Sequence, residues 1–163
     1  MLESLRLPQP FVESHRVTAD EIDAYNHVNN AIYLRWLDRV AWSHSAALGL
    51  PVETCLALRR GMAVRHTRVD YLLAALLGDH LILATWIVAS DRRLRCTRRF
   101  DVLRAESGER VLEAEIDYVC LNLDTGKPSR FPPEFTVSYA SLPDVAAHYE
   151  ALLAEVRQIG APR

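Results

Sequence analysis

The chain has 163 residues, half of them hydrophobic, and is long enough to bury one core without disulfides or metal ions. Its 19 Lys and Arg residues against 21 Asp and Glu residues give a net charge of −2, so no strong overall field favours nucleic acid or an anionic membrane. Three widely spaced cysteines, Cys55, Cys96 and Cys120, indicate reduced thiols. With no signal-peptide pattern and no apolar run long enough to span a membrane, we expect a cytoplasmic protein with one domain over residues 1–163.

The first half of the chain predicts a strand, a polar loop and one long helix. Alternating residues predict a strand over residues 11–17, and turn-forming residues predict a loop over 20–27. From Asn30 to Leu48 apolar side chains recur at i, i+3, i+4 and i+7, which predicts an amphipathic helix of about five turns. The segment 51–60 is ambiguous and is compatible with a short helix.

The second half predicts a sheet followed by a helix. Runs of β-branched and aromatic residues between turn signals predict strands over residues 62–73, 79–89, 94–103 and 110–123. Four consecutive strands with short connections predict an antiparallel meander. Apolar residues at helical spacing predict a C-terminal helix over about 142–159. In this α+β order the long helix has to cover one face of the sheet, and a sheet edge is left for a second copy.

The string Asp23-Ala-Tyr-Asn-His-Val-Asn-Asn-Ala-Ile-Tyr33 joins the loop to the long helix. It places a carboxylate six and seven residues before a helix start marked by Asn29 and Asn30. The first N–H groups of a helix lack acceptors within the helix and lie at the positive end of its dipole. An anion or a polarised carbonyl group could therefore lie between the carboxylate and the helix.

This string, together with the order of elements, resembles the hotdog fold, and specifically the acyl-CoA thioesterases of the 4-hydroxybenzoyl-CoA and long-chain acyl-CoA types. Asp23, the run from His27 to Asn30, and Tyr33 stand at the positions of the family motif, and residues 118–128 resemble the family's last strand and turn. The resemblance covers about residues 11–135. It implies an antiparallel sheet wrapped around the long central helix, with the C-terminal helix added, and a homodimer or homotetramer.

Four positions depart from the family pattern. Glu21 stands where many members carry Asp, and Asn26 stands where many carry Gly, which affects how closely a thioester approaches the loop. Arg65 and His66 lie in a strand where relatives often carry apolar or small amide residues, which affects the shape of the acyl pocket. None of these differences removes the carboxylate of Asp23.

The resemblance implies hydrolysis of an acyl-CoA thioester to the free acid and coenzyme A, without a cofactor or a metal ion. Asp23 would act as nucleophile or as general base, and both routes stay open. The amides of Asn30 and Ala31 would stabilise the oxyanion. Roles in the loop and the pocket are expected for Asn26, His27, Asn29, Tyr33 and His66. The resemblance does not identify the acyl group, and acyl carrier protein is an alternative to coenzyme A as its carrier.

A basic cluster at one strand turn has two interpretations. Arg92, Arg93 and Arg95 could pair with the phosphates of coenzyme A, for which the guanidinium group is well suited. Alternatively, the turn and the following Arg98 and Arg99 are a solvated surface with alternating exposed arginines.

Two side chains of the long helix are further candidates. Asp38 is a rival for the catalytic carboxylate, because some hotdog thioesterases carry theirs on the central helix. Its place between Arg35 and Arg39 favours a solvated or interface ion pair. His44, on the apolar side of the helix, is predicted to be packed rather than catalytic.

Two other classes of function remain open at this point. One is a non-catalytic module that senses acyl-CoA, which would keep the pocket but not need the carboxylate. The other is a hotdog hydratase or dehydratase, which would need an acid and a base such as Asp23 and His27.

Overall fold

The computed structural model describes residues 4–159, and side chains as far as residue 157. The strands and α-helices are β1 (Phe11–Arg16), α1 (Asn30–Ala47), α2 (Val52–Ala57), β2 (Arg60–Tyr71), β3 (His80–Ser90), β4 (Arg95–Arg104), β5 (Arg110–Asn122), α3 (Pro133–Ser138) and α4 (Pro143–Ile159). Each strand and helix predicted from the sequence is present, with ends that differ by at most two residues. The ambiguous segment contains α2.

The five strands form one antiparallel sheet in the order β1-β3-β4-β5-β2. The predicted meander of four strands is wrong, because β2 pairs with β5 and not with β3. The eight residues 72–79 between β2 and β3 cross the end of the sheet. Eight extended residues reach roughly 26 Å, which exceeds the roughly 14 Å between strands three positions apart, so a short connection does not require neighbouring strands.

Helix α1 packs across one face of the sheet and forms the main core with it. Trp36, Leu37 and Val40 of α1 are buried in the same cluster as Phe100 and Val102 of β4. This arrangement, a sheet curved around one central helix, agrees with the predicted α+β architecture.

The outer face of the sheet is partly covered by the two ends of the described chain. Trp86 of β3 packs with Leu7 of the N-terminal arm and with Val145 and Tyr149 of α4. Its indole N–H donates to the Pro8 carbonyl at 2.8 Å. The added C-terminal helix therefore closes this part of the sheet.

Within the described part of the chain, one edge of strand β2 is unpaired. Residues 64–68 of β2 are exposed. Val64, the apolar residue among them, is 54% exposed and lies beside a bulge in the strand. Leu34 and Trp42 of α1 are exposed as well. An edge strand next to exposed apolar side chains is a surface that normally requires a partner.

Candidate active site

Glu21 fixes the loop that precedes α1. Its carboxylate accepts hydrogen bonds from the Thr18 N–H at 3.0 Å and from the Trp36 indole N–H at 2.7 Å, and it lies 2.9 Å from Nε2 of His15. Burial alone would raise the pKa of Glu21, but these hydrogen bonds outweigh burial and hold the pKa below its ordinary value. Since its carboxylate is fully engaged, Glu21 holds the loop against β1 and α1.

From the sequence, Glu21 is only a departure from the family motif, and this positioning role is not predicted. A signal was present, because Thr18 and Glu21 have the spacing of a capping box. The contacts with His15 and Trp36 join distant parts of the chain and could not be found from that spacing.

Asp23 lies in the turn that follows, with one carboxylate oxygen held by the backbone. Its Oδ1 accepts hydrogen bonds from the N–H groups of Tyr25 at 2.8 Å and His27 at 3.4 Å. Within the described part of the chain, Oδ2 makes no hydrogen bond. The half-buried carboxylate therefore has a fixed orientation and one oxygen that is available to a water molecule or a substrate.

Asn26 explains how this turn forms without glycine. Its φ angle is +62°, in the left-handed region that glycine adopts most easily and that asparagine tolerates better than most residues. The N–H of Asn26 donates to the Asp23 carbonyl at 3.0 Å and closes the turn.

The start of α1 offers one free amide. Asn29 caps the helix, since its Oδ1 accepts a hydrogen bond from the Ala31 N–H at 2.9 Å. Among residues 4–159, the Asn30 N–H has no acceptor. Of the two predicted oxyanion donors, Asn30 is therefore available, whereas Ala31 would require the Asn29 side chain to turn away.

Two tyrosines form the floor of the cleft beside this helix start. The Tyr33 hydroxyl accepts a hydrogen bond from the Ala75 N–H at 3.0 Å and thereby fixes the connection between β2 and β3. Burial raises the pKa of Tyr33, so its hydroxyl stays neutral. Tyr71 packs against Tyr33 with ring centroids 5.5 Å apart and donates to the Asn30 carbonyl at 3.2 Å.

The resulting cleft has a volume of about 390 Å³ and opens to solvent. Its lining combines the polar groups described above with apolar side chains of the connection between β2 and β3: Asp23, Tyr25, His27, Val28, Asn30, Tyr33, Tyr71, Leu72, Leu73 and Ala74. Four predicted site residues thus lie together, while Asn26, Asn29 and Ala31 belong to the adjoining backbone.

Other predicted site residues lie elsewhere in the chain. His66 is in the middle of β2, with Nδ1 3.9 Å from a carboxylate oxygen of Asp117. Arg95 begins β4 at the opposite end of the sheet from Tyr71. The length of β4 separates the basic turn from the cleft by roughly 25 Å.

The basic turn has a rigid backbone. Oδ1 of Asp91 accepts the N–H groups of Arg93, Leu94 and Arg95 at 2.8 to 2.9 Å. Burial opposes ionisation of Asp91, but these amides outweigh it and lower its pKa. Arg92, with a φ of +54°, completes the turn. Arg92, Arg93 and Arg95 are all exposed and available to an anion.

Arg98 and Arg99 contradict the interpretation of this segment as a run of exposed arginines. They are only 2% and 4% exposed, because neighbouring residues of a strand point to opposite faces and both faces are covered here. Arg99 pairs with Glu113 at 2.5 Å and with the buried Asp101 at 3.3 Å. Arg98 points towards α1.

The two candidate side chains of α1, Asp38 and His44, have different surroundings. Asp38 makes no ion pair within residues 4–159; Arg39 instead contacts Glu13 at 3.4 Å. Burial raises the pKa of Asp38. His44 is packed, as predicted, and stacks on Phe11 with ring centroids 4.9 Å apart.

Residues 17–138 match the sequence model of the Thioesterase-like superfamily. The chain belongs to this superfamily. It is 28% identical to the long-chain acyl-CoA thioesterase FadM of Escherichia coli (strain K12) over 116 residues, which are 69% of this chain and 83% of FadM. The suspected family relationship is thereby confirmed.

Solved structures with low sequence identity show the same fold. Slr0204, a 1,4-dihydroxy-2-naphthoyl-CoA thioesterase from Synechocystis, aligns with a TM-score of 0.72 at 18% identity over 80% of this chain and 96% of Slr0204. SAV2348 from Staphylococcus aureus, solved in complex with CoA, aligns with a TM-score of 0.75 at 22% identity over 88% of this chain and 86% of SAV2348. The predicted hotdog fold is confirmed. In the described part of the chain no helix is long and apolar enough to cross a membrane.

Proposed function

We propose that this protein hydrolyses an acyl-CoA thioester to the free acid and coenzyme A. The observation that carries the proposal is the cleft at the start of α1, where Oδ2 of Asp23 and the N–H of Asn30 are both free of hydrogen bonds within residues 4–159. Membership of the superfamily supports it. The similarity to FadM, a long-chain acyl-CoA thioesterase, and to SAV2348, which binds CoA, supports the choice of substrate.

The proposed reaction places the thioester carbonyl between these two groups. The Asn30 N–H and the positive end of the α1 dipole stabilise the oxyanion. Asp23 either removes a proton from an attacking water molecule or attacks the carbonyl carbon itself and forms an anhydride that water then cleaves. In both routes the C–S bond breaks, and coenzyme A leaves as a thiolate that takes up a proton. Neither route requires a cofactor.

The same proposal includes a homodimer built on the free edge of β2. Two copies of β2 paired antiparallel about their middle would extend the sheet to ten strands, and the exposed Val64 and Trp42 lie beside that edge. Antiparallel pairing puts the Tyr71 end of one strand beside the Arg60 end of the other. Assembly into a homotetramer is compatible with this dimer.

Such a dimer would also place the basic turn near the cleft. Within one subunit the turn and the cleft lie at opposite ends of the sheet, but the two-fold axis reverses one subunit relative to the other. Arg92, Arg93 and Arg95 of the partner subunit would then lie at the same end as Asp23. They are proposed to bind the phosphates of coenzyme A. The cytoplasm remains the proposed location, in keeping with three buried free cysteines.

The test is thiol release from a panel of acyl-CoAs by the wild type and by Asp23→Asn. Asparagine keeps an oxygen that can accept the hydrogen bonds of Tyr25 and His27, so the turn is preserved while the carboxylate is lost. We expect hydrolysis of at least one acyl-CoA, and a loss of about a hundredfold or more in kcat for the variant.

Asp20→Asn is the matched control, because Asp20 is an exposed carboxylate of the same loop outside the cleft. It should retain activity. If acyl-CoA binds but no thiol is released by the wild type, the non-catalytic binding module replaces the thioesterase proposal. Hydration of an unsaturated acyl-CoA without thiol release would favour the hydratase.

A further inference from the structure

A buried guanidinium group, that of Arg98, lies between α1 and the sheet. Arg98 occupies an inner-face position of β4 between the core residues Cys96 and Phe100. Its Nη1 donates to Nδ1 of His44 at 2.8 Å, and its Nη2 donates to the Ser45 hydroxyl at 2.9 Å. Among residues 4–159, no Asp or Glu oxygen lies within 4 Å of it. Removing such a cation from water is costly unless an anion compensates for it.

The side chains that contact Arg98, those of His44, Ser45 and Tyr139, are neutral at pH 7. Burial and the charge of Arg98 lower the pKa of His44 to about 4, so its Nδ1 acts as an acceptor. The Tyr139 ring lies 5.7 Å from the guanidinium carbon, and the Tyr139 hydroxyl is 3.2 Å from the Ser45 hydroxyl. These contacts hold Arg98 in place without cancelling its charge. Three of its five N–H donors have no partner among the described residues.

Arg98 lies in the wall of a slot of about 70 Å³ between α1 and the sheet. A water molecule requires at least about 10–15 Å³ by the same measure, so the slot has room for the tip of an acyl group. The interior is mostly apolar and includes Ala41, Cys55 and Cys96. Asp38, Trp42 and Val64 also line the slot and are exposed, whereas Arg98 is 2% exposed.

We propose that this slot is a subsite for the end of the acyl group, in which Arg98 binds a terminal carboxylate. The preferred substrates would then be thioesters of dicarboxylic acids, whose methylene groups contact the apolar wall while the carboxylate pairs with the guanidinium. A carboxylate is the group that both neutralises the charge and uses two parallel N–H donors. This inference rests on the proposed function, because it names the class of acyl group that the enzyme accepts.

The dimer connects the slot with the reacting carbonyl. Met62 and Val64 line the slot and lie in the first half of β2. Antiparallel pairing puts this half beside the second half of the partner's β2, which ends at the cleft. An acyl group whose thioester is bound in the partner's cleft can therefore extend across the interface into the slot.

Binding to the Asp23→Asn protein tests this subsite, since the thioester is not consumed. The ligands are matched pairs of saturated acyl-CoAs whose acyl chains have roughly five to twelve carbons, so that their lengths cover the span from slot to cleft. The two members of a pair differ only in a terminal methyl or carboxylate group. Titration calorimetry should show that, at one or more chain lengths, the carboxylate member binds about tenfold more tightly. Adding Arg98→Met should abolish this preference.

Ala41→Leu provides a second variant in case Arg98→Met does not fold. It fills the slot but leaves Arg98 and its partners unchanged, and it should also abolish the preference. The proposal is overturned if no chain length shows a preference, if either folded variant retains it, or if a terminal hydroxyl is bound as tightly as the carboxylate. Because binding is measured, a carboxylate preference would stand even if the wild type hydrolysed no thioester.

Discussion

The cleft at the start of α1 and the slot beside its second half are built in different ways. The carboxylate of the cleft is held by backbone groups, since Oδ1 of Asp23 accepts two amide N–H groups from the same short turn. The slot is held by side chains from distant segments, such as Ser45 and Tyr139, which are 94 residues apart. The loop and helix start of the cleft come from one continuous segment and leave a motif in the sequence, whereas contacts made by strand pairing and tertiary packing do not.

The two sites also differ in how they hold a charge. Asp23 is half-buried and remains in contact with solvent, so its charge needs no counter-ion. Arg98 is buried and contacts neutral groups, so an anionic ligand would stabilise its charge. We infer that the cleft provides the chemistry and the slot selects the acyl group.

The largest expected effect on the cleft comes from Glu21→Ala. This change removes the acceptor of the Thr18 N–H and of the buried Trp36 indole N–H. Leaving these donors unpaired should lower the free energy of unfolding by about 3 kcal/mol. It should also reduce kcat, although Glu21 does not line the cleft. Urea unfolding with parallel assays of thiol release measures both effects.

Asp20→Ala provides the control for this comparison. Among residues 4–159 its carboxylate accepts a hydrogen bond only from the exposed Thr18 hydroxyl, at 2.7 Å, so we expect a change of less than about 0.5 kcal/mol. Equal destabilisation by the two variants would show that the loop is not held through Glu21.

The same contrast explains how far the sequence could predict the molecule. The loop, the helix start and the carboxylate of Asp23 were predicted because they depend on turn formers, a cap at Asn29 and local spacing. The position of β2 in the sheet was not predicted, because it depends on pairing with β5 across about fifty residues of chain.

Arg98 was misinterpreted for a related reason. A run of arginines after a turn is typical of a solvated surface, and only the covering of both sheet faces buries Arg98 and Arg99. Which side chains meet them, His44 on one face and Glu113 on the other, is decided by tertiary packing.

His44 provides a test of the slot that depends on pH. Its pKa is about 4 in the folded protein, owing to burial and to Arg98, and is near 6.5 when the chain is unfolded. Between these values the unfolded state binds a proton that the folded state does not, so stability falls as the pH falls from about 6.5 to 4. His44→Asn keeps an acceptor for Arg98 but cannot be protonated. Its stability should therefore decline less over this range.

Thermal unfolding at a series of pH values measures this difference. His148→Asn, at an exposed position of α4, is the matched control for the loss of a histidine. If His44→Asn loses stability as steeply as the wild type between pH 6.5 and 4, His44 is not the neutral acceptor of Arg98.

The smallest expected effects concern the basic turn, which is exposed and screened by salt. Arg93→Ala and Arg95→Ala should each raise KM for acyl-CoA by roughly three- to tenfold at low ionic strength, and by less at high ionic strength. Neither should change KM for the corresponding acyl-pantetheine, which lacks the nucleotide phosphates.

Arg157→Ala removes an exposed arginine of α4 and controls for the change in net charge. An equal rise in KM for both substrates would place the turn in contact with the acyl or pantetheine part, and would contradict its proposed role at the phosphates.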